Sequence, residues 1–233
     1  RGDADACLSG GAEDRVNPLA LYRQHCTQRL ATTNGSGDLS NIVLPFASDA
    51  TGTVIGEGGG IMIVEATSSC AARGGSPWCT IDGIGCRQSI ADSPIDADPH
   101  AIASAICKAM QEANCEPSNI DAIVPLGSGI KQVDGAECEA LTKVFGDALP
   151  SIPTITTIPY TGNCMAGNGA IAIGVAAKAL KEQRLPARLG AAETSGIDAA
   201  KCDARKATLS RILIVAPSEG GQCVAIVLGG TNE

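Results

Sequence analysis

Glycine-rich segments are the parts of this chain whose backbone could bind a charged ligand. The segment from Thr161 to Gly169 runs into a predicted helix, so its amides could hold an anion or the oxyanion of a reacting carbonyl. Small residues would also let a buried helix pack closely against a sheet, and the residues alone leave both interpretations open. Gly56–Gly60 leads into a predicted strand without a Gly-Lys-Ser/Thr motif, which favours close backbone approach over phosphate binding.

Cys164 and Glu219 are the side chains near such segments that could do chemistry. A thiol at a helix start, such as that of Cys164, can have a lowered pKa and act as a nucleophile, but no His or Lys lies close to it in sequence. Glu219 could bring a carboxylate to the mouth of a pocket, although a solvated turn at Gly220-Gly221 is the favoured interpretation. The two histidines, His25 and His100, are predicted to be surface residues of polar-faced helices rather than bases.

The eleven cysteines suggest neither a zinc site nor a disulfide framework. No Cys-x-x-Cys pair occurs, the count is odd and the chain is large. We therefore predict that most are reduced packing residues, as where Cys107 follows Ile106 and Cys223 precedes Val224. Reduced thiols predict a cytoplasmic protein, and no metal or redox cofactor is implied.

The composition excludes several further classes of protein. The chain has 17 Lys+Arg against 25 Asp+Glu, a formal net charge of −8, which disfavours sequence-independent binding of nucleic acid. No run of 18 or more apolar residues occurs, so no membrane span is predicted. With 44% apolar and 18% charged residues, the chain is too apolar for disorder. Only 2% of the residues are aromatic, which predicts a globular protein with a core of small side chains.

The elements ahead of residue 98 are predicted to be short strands and one helix. The strands are Ala4–Leu8, which ends at the Gly10-Gly11 turn, Ile61–Val64 and Trp78–Gly85. Asn17 and Pro18 provide an N-cap and a first-turn proline for a helix to about Leu30. Residues 34–41 are predicted to form a polar loop.

From residue 98 onward, predicted helices and apolar strands alternate. The helices begin at Asp98-Pro99, with Ile102, Ile106 and Met110 on one face, at Gly135 and at Gly169, and the last two extend to Phe145 and Gln183. The strands are Asp121–Pro125, Ile152–Ile158, Arg211–Ala216 and Cys223–Leu228. Asp134 and Glu137 are predicted to cap the second helix, and the third is apolar nearly all round, hence central. The alternation predicts an α/β fold with a layered, largely buried sheet.

Taken in order, these segments resemble a β-ketoacyl synthase, a condensing enzyme of the thiolase-like superfamily. Ala4–Glu13 resembles the strand and turn that follow the family's nucleophile helix. Pro45–Gly52, continuing into Val54–Gly60, resembles the family's Pro-Phe-Asp…Gly…Gly-Glu-Gly-Ala-Gly signature. The segments Ile120–Glu137, Thr157–Ala170 and Ser218–Gln222 follow in the family's order and approximate spacing.

The resemblance implies a fold, a ligand and a partner. The fold is a thiolase-like layered α/β fold, of which residues 1–88 are the remainder of the N-terminal subdomain and residues 89–233 the C-terminal subdomain. The ligand it implies is an acyl carrier protein or an acyl-thioester. A homo- or heterodimer with a synthase-like chain is the expected assembly.

The family's catalytic residues are replaced or missing in this chain. Its Cys nucleophile lies upstream of the Gly-Gly turn and would here precede Arg1. Its first catalytic His, in a His-Gly-Thr motif, corresponds to Leu126 in Leu126-Gly127-Ser128. Its second, in Lys-x-x-Thr-Gly-His, corresponds to Asn163, and the Lys to Ile158. Its gating Phe, in Gly-Phe-Gly-Gly, corresponds to Glu219 in Ser218-Glu219-Gly220-Gly221.

These replacements predict that the chain alone does not condense acyl units. In the family, the paired histidines polarise the malonyl thioester carbonyl as the enolate forms. Leu126 can donate nothing, whereas Asn163 can donate a neutral amide hydrogen bond. Losing one such donor typically slows a reaction by about 100–1,000-fold, or about 2.7–4 kcal/mol, and losing the nucleophile removes the covalent route.

Three hypotheses about function follow from these departures. The leading one is a degenerate synthase, similar to chain-length factors, that pairs with an active synthase of fatty acid or polyketide synthesis. The second is one part of a split or nicked synthase whose nucleophile lies on another polypeptide. The third is a non-enzymatic interaction scaffold. In each case the candidate positions are the motif equivalents Leu126, Ser128, Ile158, Asn163 and Glu219, and the pocket candidates Cys164, Gly220 and Gly221.

Overall fold

The computed structural model describes residues 4–33, 41–90, 93, 95–191, 193–194 and 196–231. The helices are α1 (Pro18–Cys26), α2 (Thr67–Ala72), α3 (Pro99–Glu112), α4 (Lys131–Phe145), α5 (Ile158–Thr161) and α6 (Asn168–Glu182). The strands are β1 (Ala6–Glu13), β2 (Gly58–Glu65), β3 (Thr80–Gln88), β4 (Ala122–Val124), β5 (Arg184–Leu185), β6 (Arg205–Lys206), β7 (Arg211–Ser218) and β8 (Gln222–Gly229). Of the predicted polar loop, residues 34–40 lie outside the described residues, as does Arg1.

A four-stranded mixed sheet, in the order β3-β8-β7-β4, forms the centre of the fold. The predicted hairpin of β7 and β8 is confirmed, and β4 runs parallel to β7. Alternate residues of β7 face opposite sides of the sheet. Leu213 packs with Ile102 and Ile106 of α3 and with Leu141 of α4, and Ile212 and Ile214 pack with α6. The predicted layered α/β arrangement with a buried sheet is therefore confirmed.

A second sheet of two antiparallel strands, β1 and β2, lies on the other side of α6. A Cβ added to Gly60 of β2 would lie 3.5 Å from the Cβ of Ala170, so this sheet contacts the helix directly. The predicted turn at Gly10-Gly11 is wrong, because both glycines lie inside β1 and pair with Ile61 and Gly60. Their role is close approach, since a Cβ on Gly10 would lie only 2.1 Å from the Gly60 carbonyl oxygen.

Local capping signals predicted two helix starts correctly. Asn17 caps α1 through its side-chain oxygen, which accepts the amide N–H of Ala20 at 3.0 Å, although the helix ends at Cys26 rather than near residue 30. Asp98 caps α3 by accepting the amide N–H of Ala101 at 2.9 Å. The predicted apolar face of α3 is buried, and α6 is confirmed as a helix between the two sheets.

Two other predictions of local structure are wrong. Helix α4 begins at Lys131, so Asp134 and Glu137 lie inside it and cap nothing. The segment 152–158 is not a regular strand, because it makes only single bridges at Pro153 and Thr154 before α5 begins. Its amides pair with two different neighbours, the carbonyls of Asp198 and Ile123, which prevents a continuous ladder.

The cysteines differ from the prediction in their burial. All eleven are free thiols. The buried ones are Cys70, Cys164 and Cys223, and the exposed ones are Cys7, Cys26, Cys86 and Cys107. Cys107 shows why the prediction of packing is wrong for the exposed group: its neighbour Ile106 faces the sheet, so the next residue along the helix points away from it. Within the described ranges, no helix has the length and apolarity to cross a membrane, and no three potential metal-binding side chains cluster.

Candidate functional site

The loop at residues 126–129 is held by a buried carboxylate from α4. Asp134 is 3% exposed and accepts four hydrogen bonds. Its Oδ1 accepts the amide N–H and the hydroxyl of Ser128, both at 2.8 Å. Its Oδ2 accepts the amide N–H of Gly129 at 3.0 Å and that of Phe46 at 2.9 Å. One side chain therefore joins α4, the loop and a segment far away in sequence.

A second carboxylate one helical turn further on holds the start of the same loop. Glu137 is fully buried, and its two oxygens accept the amides of Leu126 at 2.8 Å and Gly127 at 3.1 Å. Burial raises the pKa of Glu137 to about 8, with a smaller contribution from the charge of Asp134, and burial also raises the pKa of Asp134. The two amides oppose the rise because they stabilise the charged form of Glu137.

These contacts leave the loop without a hydrogen-bond donor for a ligand. The amides of residues 126–129 donate to the two carboxylates, and the next amide, of Ile130, donates to the Ser128 hydroxyl at 3.1 Å. The sequence reasoning missed this role of Asp134 and Glu137. Their spacing of three residues places both on one face of a helix, and this spacing could have indicated that they contact the same neighbouring segment.

The segment from Val43 to Gly56 connects this loop to the glycine-rich segment before α6. At one end, the space beside Gly127 is closed by Phe46 and Pro45, and that beside Gly129 by the Gly52 carbonyl. At the other end, a parallel bridge joins Ile55 to Asn163, whose amide donates to the Val54 carbonyl at 2.7 Å. The stretch that carried the family resemblance thus forms the scaffold between the two motif positions.

Close backbone approach, the favoured interpretation of Gly56–Gly60, is confirmed at its first residue. A Cβ added to Gly56 would lie 2.1 Å from the Thr161 carbonyl oxygen. The amide of Gly56 also donates to the Asn163 carbonyl at 3.0 Å. Any larger residue would separate the two segments.

Four amides of the glycine-rich segment already have acceptors. The amide of Cys164 donates to Asn168 Oδ1 at 2.8 Å, and that of Met165 donates to Asn163 Oδ1 at 3.1 Å. The amides of Gly162 and Gly167 donate to backbone carbonyls at 2.9 and 2.8 Å. These amides are not free to bind an anion, so the geometry favours the packing interpretation. What this segment offers a ligand is the side chain of Asn163, which is only 6% exposed.

Cys164 does not have the properties of an activated nucleophile. Its side chain is buried, and burial raises its pKa. Its thiol donates weakly to the carbonyls of Thr161 and Gly162, at 3.6 and 3.7 Å, and the negative charge of Glu57 raises the pKa further. A lowered pKa, which the lack of a nearby His or Lys in sequence already disfavoured, is not found, because the thiol is buried and faces carbonyl oxygens and a carboxylate rather than helix amides.

The remaining candidates lie at the edge of the site. Ile158 is 1% exposed at the start of α5, so an apolar side chain fills the place where the resemblance implies a Lys. Gly220 and Gly221 have φ of 79° and 81° and form the turn between β7 and β8. Glu219 precedes them and is 52% exposed, yet its carboxylate lies 2.7 Å from the guanidinium of Arg29. The solvated turn is confirmed, with an ion pair added.

Arg29 joins that turn to two other segments. Its side chain is 11% exposed and also donates to the Ile95 carbonyl at 3.1 Å. Its backbone carbonyl accepts the amide of Thr53 at 2.8 Å. His25 and His100 are both exposed, as predicted.

Comparison with known proteins shows which family this chain resembles. The model for "Beta-ketoacyl synthase, N-terminal domain" matches residues 1–69, and that for "Beta-ketoacyl synthase, C-terminal domain" matches residues 78–192. Together they match most of the chain. The chain belongs to the β-ketoacyl synthase family. The resemblance predicted from the sequence motifs is confirmed.

Relatives with assigned names come from two branches of this family. The tetracenomycin polyketide synthase ketoacyl synthase beta subunit of Streptomyces glaucescens is 29% identical, over 98% of this chain and 55% of the relative. The 3-oxoacyl-[acyl-carrier-protein] synthase 2 of Staphylococcus aureus is 27% identical, over 79% of this chain and 45% of the relative. The chain thus spans about half the length of these curated relatives.

Solved structures support the thiolase-like fold. The structure named "the ishigamide ketosynthase/chain length factor" matches with a TM-score of 0.88 and 26% identity, over 99% of this chain and 55% of that chain. A β-ketoacyl synthase from Burkholderia phymatum STM815 matches with a TM-score of 0.87 and 21% identity, over 99% of this chain and 56% of that one. The predicted fold class is confirmed.

Proposed function

We propose that this chain is a chain-length-factor-like member of the family, which pairs with a synthase-like chain and holds an acyl chain without forming the carbon–carbon bond itself. The observation that carries the proposal is the state of the loop at residues 126–129. By resemblance this loop corresponds to the first catalytic His motif. It carries Leu126 in that place, and its amides and the Ser128 hydroxyl are engaged by Asp134, Glu137 and Ile130.

The other motif positions support the same proposal. Ile158 is buried and cannot be charged, and Asn163 is a neutral amide. Glu219 is bound to Arg29, so the place of the apolar gate is occupied by an ion pair. Three positions implied to act together in catalysis have therefore lost their proton-transferring or gating groups. We assign Cys164, Gly220 and Gly221 to the wall of the acyl pocket.

The partner and ligand of the proposal rest on the named relatives. One is a ketoacyl synthase beta subunit, and one related structure is named a ketosynthase/chain length factor. A synthase-like partner and an acyl carrier protein or acyl-thioester ligand, in fatty acid or polyketide synthesis, are therefore the classes we propose. We also propose that residues 1–88 and 89–233 form two subdomains and that the protein works in the cytoplasm.

The test is an assay of malonyl decarboxylation and acyl transfer with malonyl-loaded acyl carrier protein. The purified chain is expected to show no turnover above the protein-free blank. Asn163→Ala is the matched control, because Asn163 is the candidate donor that remains. Turnover that Asn163→Ala abolishes would overturn the proposal.

One surface favours the split-synthase alternative. The face of the small sheet that points away from α6 carries Leu8, Ile61 and Ile63, which are 74%, 77% and 72% exposed. Apolar side chains at this density are typical of a surface covered by further polypeptide. In this alternative the covering polypeptide brings the nucleophile. Native purification followed by intact mass measurement distinguishes the two: a tightly bound second polypeptide whose cysteine reacts with a thiol-directed electrophile supports the split synthase, and its absence contradicts it.

A further inference from the structure

Asn163 and Asn168 form a side-chain pair at the site. Asn168 donates from Nδ2 to Asn163 Oδ1 at 2.7 Å, and its own Oδ1 accepts the Cys164 amide at 2.8 Å. Asn163 Oδ1 also accepts the amide of Met165 at 3.1 Å. The backbone of Asn163 is held on the other side by Val54 and Gly56. The residue is therefore fixed at both its backbone and its side-chain oxygen.

These contacts decide which way the Asn163 amide points. With the opposite orientation, its NH2 group would face two donors, the Met165 N–H and the Asn168 NH2, and both would lose their acceptor. The observed orientation leaves the Asn163 Nδ2 without an acceptor among the described residues, in a side chain that is only 6% exposed. Among the described residues, the side-chain nitrogen and oxygen atoms that are both fully buried and unpaired do not include Asn163 Nδ2. This nitrogen therefore remains accessible to solvent or to a ligand.

We infer that Asn168 is a positioning residue, which holds Asn163 so that its Nδ2 donates to the carbonyl oxygen of a bound acyl-thioester. The inference rests on the proposed function for the ligand, and on the structure for the pair. A mostly buried donor with no acceptor among the described residues is free to bind an oxygen acceptor of a ligand that displaces water. An acyl-thioester supplies a neutral carbonyl oxygen, and a neutral amide suits it without placing a charge in the site.

A neutral donor at residue 163 predicts how the affinity for a thioester depends on pH. An amide does not titrate between pH 6 and 8, whereas a histidine has an unperturbed pKa of about 6.5. Asn163 should therefore add no pH dependence to the binding of a neutral thioester over this range, in which Glu137, which holds the loop at residues 126–129, titrates with a pKa of about 8. In Asn163→His, the affinity should change with pH beyond any change seen in the natural chain.

The test uses Asn168→Asp to separate the positioning of Asn163 from the hydrogen bond that Asn168 accepts from the Cys164 amide. An aspartate still accepts the Cys164 amide, but it cannot donate to Asn163. The probe is octanoyl-pantetheine, titrated into the 15N-labelled chain, with the Asn163 side-chain amide signals assigned by their loss in Asn163→Asp. We expect these signals to shift on binding in the natural chain. In Asn168→Asp we expect about tenfold weaker binding, as for one lost hydrogen bond, and a smaller drop in melting temperature than in Asn168→Ala, because the bond to the Cys164 amide remains.

The possible outcomes distinguish this inference from the proposed function. If Asn168→Asp binds the probe as tightly as the natural chain and leaves the Asn163 amide signals in place, the positioning role is wrong. If the natural chain binds no thioester but Asn168→Asp displaces those signals, the positioning role stands and the proposed ligand is wrong. If Asn168→Ala lowers the melting temperature and Asn168→Asp changes neither signals nor binding, Asn168 only holds the Cys164 amide and has no positioning role.

Discussion

Two glutamates at this site, Glu137 and Glu219, differ in burial, the property that most affects a carboxylate. Glu137 is fully buried, has no cationic partner among the described residues and accepts two backbone amides. Glu219 is half-exposed and forms an ion pair of 2.7 Å with Arg29. A count of salt bridges would rank Glu219 as the more important. Burial ranks them the other way, because an exposed pair gains little over water whereas a buried polar group has no substitute for its partners.

The comparison divides the site into a rigid part and an adjustable part. The carboxylates of α4 hold the loop at residues 126–129 in one conformation. The turn at Gly220-Gly221 contacts its surroundings through the Glu219 ion pair, which solvent can replace, and through one backbone hydrogen bond from the Ser89 amide to the Gly221 carbonyl at 3.1 Å. By resemblance, Leu126 of the rigid part takes the place of a catalytic His, and we propose that an acyl chain enters at the adjustable part. Four predictions, from the largest expected effect to the smallest, test this division.

Asp134→Ala should have the largest effect. It removes the acceptor of four hydrogen bonds and leaves the buried donors of Phe46, Ser128 and Gly129 unsatisfied. We expect the free energy of unfolding to fall by about 3 kcal/mol or more, measured by urea denaturation. Glu139→Ala on the exposed face of the same helix is the matched control and should change stability by less than about 0.5 kcal/mol. Equal losses in the two variants would contradict the rigid role.

Glu137 should make the protein less stable as the pH rises. Its pKa in the folded chain is about 8, above the ordinary value of 4.5, so the folded state keeps a proton that the unfolded state releases. This contribution to stability is fully present below about pH 4.5 and is lost as the pH rises through about 8. Denaturation curves between pH 5 and 8.5 should therefore show a falling stability, and Glu137→Gln should reduce that fall. A slope unchanged in Glu137→Gln would assign the pH dependence to other groups, with Asp134 the first to test.

Ser128→Ala should have an intermediate effect. The variant loses the hydroxyl that donates to Asp134 and accepts from Ile130, while the backbone amide at this position still reaches Asp134. We expect a loss of about 1–2 kcal/mol in the free energy of unfolding. A Ser128→Ala, Asp134→Ala double-mutant cycle should show strong coupling between the two residues. Independent, additive losses would mean that the hydroxyl does not belong to the rigid part.

The Arg29–Glu219 pair should contribute least. A double-mutant cycle of Arg29→Ala and Glu219→Ala should give a coupling energy of about 1 kcal/mol or less, which falls further in high salt. Arg29→Ala alone should lower the free energy of unfolding more than Glu219→Ala does, because Arg29 also donates to the Ile95 carbonyl. A coupling energy that equals the effect of Ser128→Ala and resists salt would place the turn in the rigid part and remove the distinction.

Local signals in the sequence predicted much of the fold but misassigned the residues that hold the site. The Asp98-Pro99 start and the apolar face of α3 were predicted correctly because cap, proline and periodicity act within a few residues. Asp134 and Glu137 have the same spacing as a capping pair, and that local interpretation is wrong. Their real partners are backbone amides elsewhere in the chain, and one of them, that of Phe46, is 88 residues away.

Cys164 shows the same limit of local signals. A helix start suggests a lowered thiol pKa, yet the thiol contacts two carbonyl oxygens and its burial raises the pKa. The order of residues could not reveal which atoms surround it. Asn168 was missed for the same reason, since its importance appears only when its side chain is seen to contact that of Asn163.

The sequence by itself determined the family and the layered α/β fold, because these depend on residue type, order and local periodicity, and by resemblance it proposed which residues stand at the motif positions. Only the tertiary structure decided which groups at those positions are free to bind a ligand. The loop amides are taken by Asp134 and Glu137, the Cys164 thiol is buried, and the Asn163 amide is held by Asn168. Hydrogen-bond partners and burial depend on segments brought together from across the chain, and these set both the pKa of a group and its freedom to bind a ligand.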